Sequence, residues 1–240
     1  MNEEGITQVG HGIEAKNAGW TFSQDVAKTF SDHVRKSVPL YTEGQELVAA
    51  LSDFFVQDSS VVYELGTSTG ALIGKLAQRH KAKTTRFVGI DVVPEMIGQA
   101  RIENGGKNIE YVIDDIINFP YERSDLFIAY YTVQFVPPYL RQQLIDRIYE
   151  HLNWGGAFIM FEKVRAPDAR FQDYMSAIYS DYKLEQGFTP DEIVAKARSL
   201  KRVLEPFSTQ GNLDMLKRAG FQDCMTVSKY VCFEGFLAVK

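Results

Sequence analysis

Short apolar runs alternate along the chain with segments whose apolar side chains recur at helical spacing. The runs predict strands at Val61–Leu65, Thr85–Asp91, Ile109–Ile113, Ser124–Tyr131 and Gly156–Lys163, with two more within Thr226–Lys240. The periodic segments predict helices at Ala71–His80, Pro94–Asn104, Pro137–Leu152, Phe171–Leu184, Pro190–Arg202 and Asn212–Ala219. Strands separated by helices of this length pair in parallel, because a parallel connection needs a long crossover. The pattern is that of a doubly wound α/β core.

The two ends differ from that core. "GFQDCMTVSKYVCFEGFLAVK" holds two strand-like segments with no room for a crossover helix, so a hairpin joined around Glu234 and Gly235 is predicted. The whole is then a mostly parallel seven-stranded sheet with an antiparallel C-terminal strand. Ahead of the first core strand, Phe22, Val26, Phe30 and Val34 repeat at near-helical spacing, and Pro39 ends that helix near Val38. A second helix fits Glu43–Phe55. Residues 1–55 are read as an N-terminal helical cover, and residues 56–240 as an α/β ligand-binding domain with a helical insertion at 165–208. Both helical parts are expected over the carboxyl ends of the strands, where open α/β folds bind ligands.

A length of 240 residues with 45% hydrophobic content suffices for one sizeable core. The net charge of -5 argues against a broad nucleic-acid surface, and Lys201 with Arg202 is too small a cluster to define one. Direct nucleic-acid binding is therefore not expected. Cys224 and Cys232 are too few for a disulfide framework or a four-ligand zinc site, and are read as buried free thiols in the C-terminal strands. No metal is expected. "MNEEGITQVGHG" lacks a secretory pattern and no apolar stretch reaches membrane-spanning length, so a cytoplasmic protein without a membrane partner is expected.

The chemistry concentrates where strands end. In "VVYELGTSTG", Gly66 and Gly70 bracket Thr67, Ser68 and Thr69 in a turn that leads into a helix, so a ligand can approach the backbone closely. The spacing does not match G-x-G-x-x-G. Asp91, with Val92 beside it, ends the second strand, where a carboxylate can accept both hydroxyl hydrogens of a ribose. Asp114 or Asp115 follows the third strand within reach of an adenine amine, and Ile116 can pack on the adenine face. Glu64 favours an adenosyl ligand with an amino-acid tail, because its carboxylate attracts an ammonium and repels a phosphate.

Together "VVYELGTSTG", "GIDVVPEMIGQA", "IDDI", "FIAYYTVQFV" and "LNWGGAFIMFEK" resemble the successive motifs of class I S-adenosylmethionine-dependent methyltransferases. That resemblance implies S-adenosyl-L-methionine as cofactor. Over nearly the whole chain, "GWTFSQDVAKTFSDHVRKSVPLY", "TVQFVPP", "FEKVRAPDARFQDYMSAIYSDYKLEQGFTPDEI" and "LKRAGF" look like the carboxy-S-adenosylmethionine synthases of tRNA wobble-uridine modification. This implies a homodimer that takes prephenate as carboxyl source and releases phenylpyruvate. By the same resemblance Tyr41 matches the tyrosine that closes the substrate pocket, and Gly66 and Asp91 match nucleotide-binding positions. The chain departs from the pattern at three places. Glu64 replaces an aspartate, Tyr130 stands where asparagine is expected near the sulfur, and Ala197 aligns with the arginine that holds the transferred carboxylate. Arg198, Lys201 or Arg202 are the neighbouring replacements.

These departures place methyl transfer to a small-molecule acceptor first and carboxy-S-adenosylmethionine synthesis second. Methyl transfer requires alignment and dehydration more than added charge. His33, Tyr41, Tyr130 and Tyr131 are the candidate catalytic side chains, and Trp20, Arg198 and Arg202 the candidate substrate contacts. A Rossmann oxidoreductase and a non-catalytic regulator on a methyltransferase fold are the readings from other classes.

Overall fold

The computed structural model of the protein describes residues 7–9, 14–21 and 24–240. Phe22 of the predicted N-terminal repeat and most of "MNEEGITQVGHG" lie outside the described residues. Two short strands, β1 (Thr7–Gln8) and β2 (Glu14–Ala15), pair antiparallel ahead of helices α1 (Gln24–Ser37) and α2 (Tyr41–Ser52). The core then runs β3 (Val61–Leu65), α3 (Ala71–Arg79), β4 (Arg86–Asp91), α4 (Pro94–Glu103), β5 (Ile109–Ile113), β6 (Ser124–Tyr130), α5 (Pro138–His151) and β7 (Leu152–Lys163). Helices α6 (Ala169–Glu185) and α7 (Pro190–Ser199) form the insertion, followed by α8 (Thr209–Ala219), β8 (Asp223–Tyr230) and β9 (Phe233–Val239).

The seven-stranded sheet has the order β5-β4-β3-β6-β7-β9-β8. Pairing is parallel from β5 to β7, whereas β9 runs antiparallel to both β7 and β8. Side chains alternate between the two sheet faces. Tyr63, Leu65, Phe127 and Ala129 pack with Leu144, Ile145 and Ile148 of α5 and with Met215 and Leu216 of α8. Val62, Phe87, Leu126 and Ile128 pack on the other face with Val48 of α2, Leu72, Ile73 and Leu76 of α3 and Ile97 of α4. The order of strand addition reverses at β3, which has β4 on one side and β6 on the other, all parallel, so a crevice opens at its carboxyl end.

Local chemistry sets the helix ends. Pro94 and Pro190 occupy first-turn positions, where the missing N–H costs nothing. Thr189 and Glu192 close a reciprocal capping box on α7. Helix α7 stops at Ser199, short of the predicted Arg202, whose φ of 64° cannot continue a helix.

Three other expectations are corrected. The hairpin turn lies at Val231 and Cys232, so Cys232 is in a turn, and Glu234 and Gly235 are inside β9. Gly235 serves packing there, because a Cβ would come within 2.5 Å of Phe161 Cζ. Cys224 is a half-buried free thiol, and only Cys232 is buried. Strand β7 begins at Leu152, four residues earlier than predicted. Its first residues pair irregularly with β6 around Ser124, where Gly155 adopts a φ of 79°, and this breaks the apolar run.

Candidate functional site

The crevice is a cavity of about 890 Å³, bounded by the carboxyl ends of β3, β4, β6 and β7, by α1 and α2, and by the 165–208 insertion. Its donor end follows from three local structures. Glu64 is the buried penultimate residue of β3, and its Oε2 accepts hydrogen bonds from Thr67 Oγ1 at 2.6 Å and the Ile73 backbone N–H at 3.2 Å. Among the described residues Oε1 has no such partner. Burial pushes the Glu64 carboxyl up to about 8, against the lowering effect of those two hydrogen bonds.

The turn after β3 is wound by left-handed residues, with φ of 69° at Gly66, 51° at Ser68 and 74° at Gly70. A Cβ on Gly66 would come within 2.5 Å of Thr132 Cγ2, so glycine satisfies both the dihedral and the close approach. The turn is tied to Asp91. Ser68 N–H donates to Asp91 Oδ2 at 2.9 Å, and Val93 N–H donates to Oδ1 at 3.0 Å. Each oxygen keeps a further acceptor site for a ribose hydroxyl. Burial raises the Asp91 pKa against the pull of its backbone N–H partners.

Most of the candidates come together here. Glu64, Gly66, Thr67, Ser68, Asp91, Val92, Asp115 and Ile116 line the cavity, as do Trp20, His33, Tyr41, Tyr130, Tyr131 and Arg202. Three candidates do not line it. Gly70 caps α3 and packs against Tyr111, Asp114 is exposed and accepts a hydrogen bond from Asp115 N–H, and Arg198 is exposed on α7. The residues present fit S-adenosylmethionine, with a carboxylate for its ammonium, a glycine turn for its tail and a positioned aspartate for its ribose.

Tyr41, Tyr130 and Tyr131 form one packed aromatic group on the cavity wall. Tyr130 Oη donates to the Tyr41 carbonyl at 2.5 Å, and the Tyr41 and Tyr131 rings stack at 6.1 Å. Tyr131 takes a φ of 62°, a costly conformation for a bulky residue, and its N–H donates to Phe161 O at 2.8 Å. Burial raises the pKa of all three phenols well above their ordinary value. Burial thus favours the protonated phenols at neutral pH.

The insertion side of the cavity, its second chamber, holds residues that the motifs did not single out. Lys163 at the end of β7, Lys183 in the last turn of α6 and Lys196 of α7 all line it, together with Tyr179. Lys196 Nζ donates to Ser37 Oγ at 3.0 Å and to His33 Nε2, while the His33 ring stacks on Trp20 at 5.7 Å. His33 is thus buried beside a lysine rather than standing alone against a substrate. The helical i, i+4 spacing of Tyr179 and Lys183 was the available sequence signal. Ala197 also lines the cavity, so the position aligned with the family arginine does face the site.

Comparison with known proteins gives the family and the fold. Residues 62–156 match the model of a methyltransferase domain. The carboxy-S-adenosyl-L-methionine synthase of Staphylococcus epidermidis is 36% identical over 92% of this chain and 97% of that protein. The Campylobacter lari protein of the same name is 36% identical over 91% of this chain and 94% of its own. Human N-acetylserotonin methyltransferase, solved with S-adenosylmethionine, shares the fold with a TM-score of 0.55 at 18% identity, over 91% of this chain and 59% of that longer one. The chain is an enzyme that binds S-adenosylmethionine on a class I methyltransferase fold, and it belongs to the carboxy-S-adenosyl-L-methionine synthase family.

Proposed function

We propose that the protein makes carboxy-S-adenosylmethionine from S-adenosylmethionine and a carboxylate-bearing small molecule. The observation that carries this reading is the single cavity. At about 890 Å³ it lies near the top of the roughly 300–1,000 Å³ range of small-molecule sites and joins the Glu64–Asp91 end to a chamber walled by cations. S-adenosylmethionine supplies an activated carbon on positive sulfur. Glu64 and Asp91 hold its ends, the tyrosines line the space beside them, and the insertion side of the cavity admits the second reactant. Lys201 and Arg202, which follow Ala197 along the chain and line the cavity, supply the positive charge that alanine lacks.

Methyl transfer to a small acceptor is the second reading, favoured by Ala197 at the position of the family arginine. Both reactions use the same donor end. Mass spectrometry of the protein incubated with S-adenosylmethionine, with and without prephenate, separates them. Carboxylated S-adenosylmethionine formed only with prephenate is the expected result. Its absence with S-adenosylmethionine bound refutes carboxyl transfer and leaves methyl transfer to be sought among small acceptors.

The homodimer expected from the resemblance is supported by Phe171, Tyr174 and Ile178, exposed at helical spacing along α6. Light scattering coupled to size exclusion tests it, a monomer mass being the contrary result. A cytoplasmic location is supported by the two free thiols. The absence of a nucleic-acid role is supported by the net charge of -5. Among the described residues no helix is long and apolar enough to cross a membrane.

A further inference from the structure

Two buried charges of opposite sign stand behind the cavity wall. Arg141 of α5 is 2% exposed, and Glu162, near the end of β7, is 3% exposed. Among the described residues neither has a partner of opposite charge within ion-pair distance. Both are bound instead to the turn after β6, which contains a short 3-10 helix at Val133–Phe135. Glu162 Oε1 accepts the Val133 N–H at 2.9 Å. Burial pushes the Glu162 carboxyl up to about 8, opposed first by Arg141 and then by the N–H groups of Val133, Gln134 and Thr132. Arg141 takes the carbonyl side of the same turn, with Nε donating to Val136 O at 2.8 Å and Nη2 to Gln134 O at 3.0 Å. Buried charges are costly unless hydrogen-bonded, and here the peptide groups of one turn compensate both.

The contacts continue in two directions. Arg141 Nη1 donates to Glu205 O at 2.7 Å, on the stem by which the insertion returns to α8, and Glu205 N–H donates to Gln134 O at 3.1 Å. Toward the donor end, Thr132 Oγ1 donates to Leu65 O at 2.7 Å, and the same side chain is what a Cβ on Gly66 would meet. Gln134 Nε2 donates to Tyr131 O at 3.2 Å, while its Oε1 accepts the Lys163 N–H at 2.9 Å. Tyr131 is therefore held on both sides, as a bulky residue with a left-handed φ requires. Gln134, Val136 and Glu205, whose carbonyls Arg141 binds, all line the cavity. The three acceptors lie in two loop segments of the wall, and none belongs to the helix that carries Arg141 or to the sheet.

Resting only on the reading that the chemistry takes place in this cavity, we propose that Arg141 and Glu162 are positioning residues that bind the turn after β6 and the return stem of the insertion into one unit, set against the donor turn. Neither side chain lines the cavity, so they act through Thr132, Gln134 and Tyr131, which do. The role is the same for carboxyl transfer and for methyl transfer, because both use this wall. Truncating Arg141 leaves three carbonyls without their donor and Glu162 without its nearby cation. The turn and the stem then open separately, and the wall loses its fixed place beside the donor.

The first test is hydrogen exchange on the full parent chain, with and without S-adenosylmethionine. Peptides covering 131–137 and 203–208 should open as one unit, with protection that agrees within about threefold, and S-adenosylmethionine should slow both by the same factor. Arg141→Lys keeps the charge but cannot span three carbonyls in two segments, so the stem should exchange about tenfold faster while the turn stays within about threefold. In the same variant kcat with S-adenosylmethionine and prephenate should fall about tenfold, while the dissociation constant of S-adenosylmethionine stays within about threefold because Glu64 and Asp91 are untouched. Glu162→Gln keeps an acceptor for the Val133 N–H and should retain more turnover than Glu162→Met, which has similar volume and no such acceptor. Arg79→Met, which removes a surface arginine paired with Asp53, should change none of these. Independent exchange of the two segments in the parent overturns the proposal, as does parental kcat in a folded Arg141→Lys or equal loss in the two Glu162 variants. Carboxylated product formed by a parent whose segments exchange independently refutes the positioning pair alone. Coupled exchange in a parent that forms no carboxylated product refutes the reaction and leaves the pair standing.

Discussion

Asp91→Asn tests the donor site most directly. In the parent, each Asp91 oxygen already accepts one backbone N–H, from Ser68 and from Val93, at 2.9 and 3.0 Å. One acceptor site per oxygen remains for the two ribose hydroxyls. Asparagine keeps a single oxygen, so its amide must face one of those backbone donors and cannot accept a ribose hydrogen on that side. The loss is one charge-assisted hydrogen bond, about 1.5–3 kcal/mol, or roughly 10- to 150-fold in the dissociation constant for S-adenosylmethionine. The demethylated product should weaken by the same factor, because both ligands carry the same ribose. Calorimetric titration measures both, with far-UV circular dichroism and Tm reporting on the fold. A dissociation constant within threefold of the parent, in a folded variant, would refute the assignment of Asp91 to the ribose.

Glu64→Gln should weaken S-adenosylmethionine about tenfold or more while leaving an analogue without the ammonium unaffected, and calorimetry with both ligands decides it. Gly66→Ala should lower Tm by roughly 2–8 °C, from a left-handed φ costing about 1–2 kcal/mol and the clash with Thr132, and should also weaken S-adenosylmethionine. Binding of phenylsuccinate, a dicarboxylate probe for the carboxylate-bearing second reactant, should be strongest below pH 7 and fall by up to tenfold per pH unit above it. Burial, reinforced by Lys163, brings Lys183 down to about 7, and an anion binds only its charged form. Lys163 from β7, Lys196 from α7, His33 from α1 and Cys232 from the hairpin turn face this group along with Tyr179 of its own helix, so the profile is measured in Lys183→Met as well, where it should flatten.

The chain pattern determined much of this protein. Apolar runs such as Val61–Leu65 mark strands buried on both faces, and the helices between them admit only parallel crossovers, so the doubly wound sheet was legible without coordinates. Part of the cavity lining was legible for the same reason. Glu64, Gly66 and Asp91 sit where strands end, and in this fold strand ends are where ligands bind. The hairpin was placed wrongly because glycine reads as a turn by composition, whereas Gly235 makes room for the Phe161 ring of the next strand. That distinction depends on a neighbour 74 positions away in the chain, which local pattern does not contain. The second chamber was hidden in the same way. Lys163, Lys183 and Lys196 each read as ordinary charged residues of a strand end or helix, and only folding the insertion over the sheet brings them to one buried wall. Local propensity and periodicity act over a few residues and thus determine elements and their ends, but the electrostatic character of a cavity is set by groups that tertiary packing brings together and removes from water.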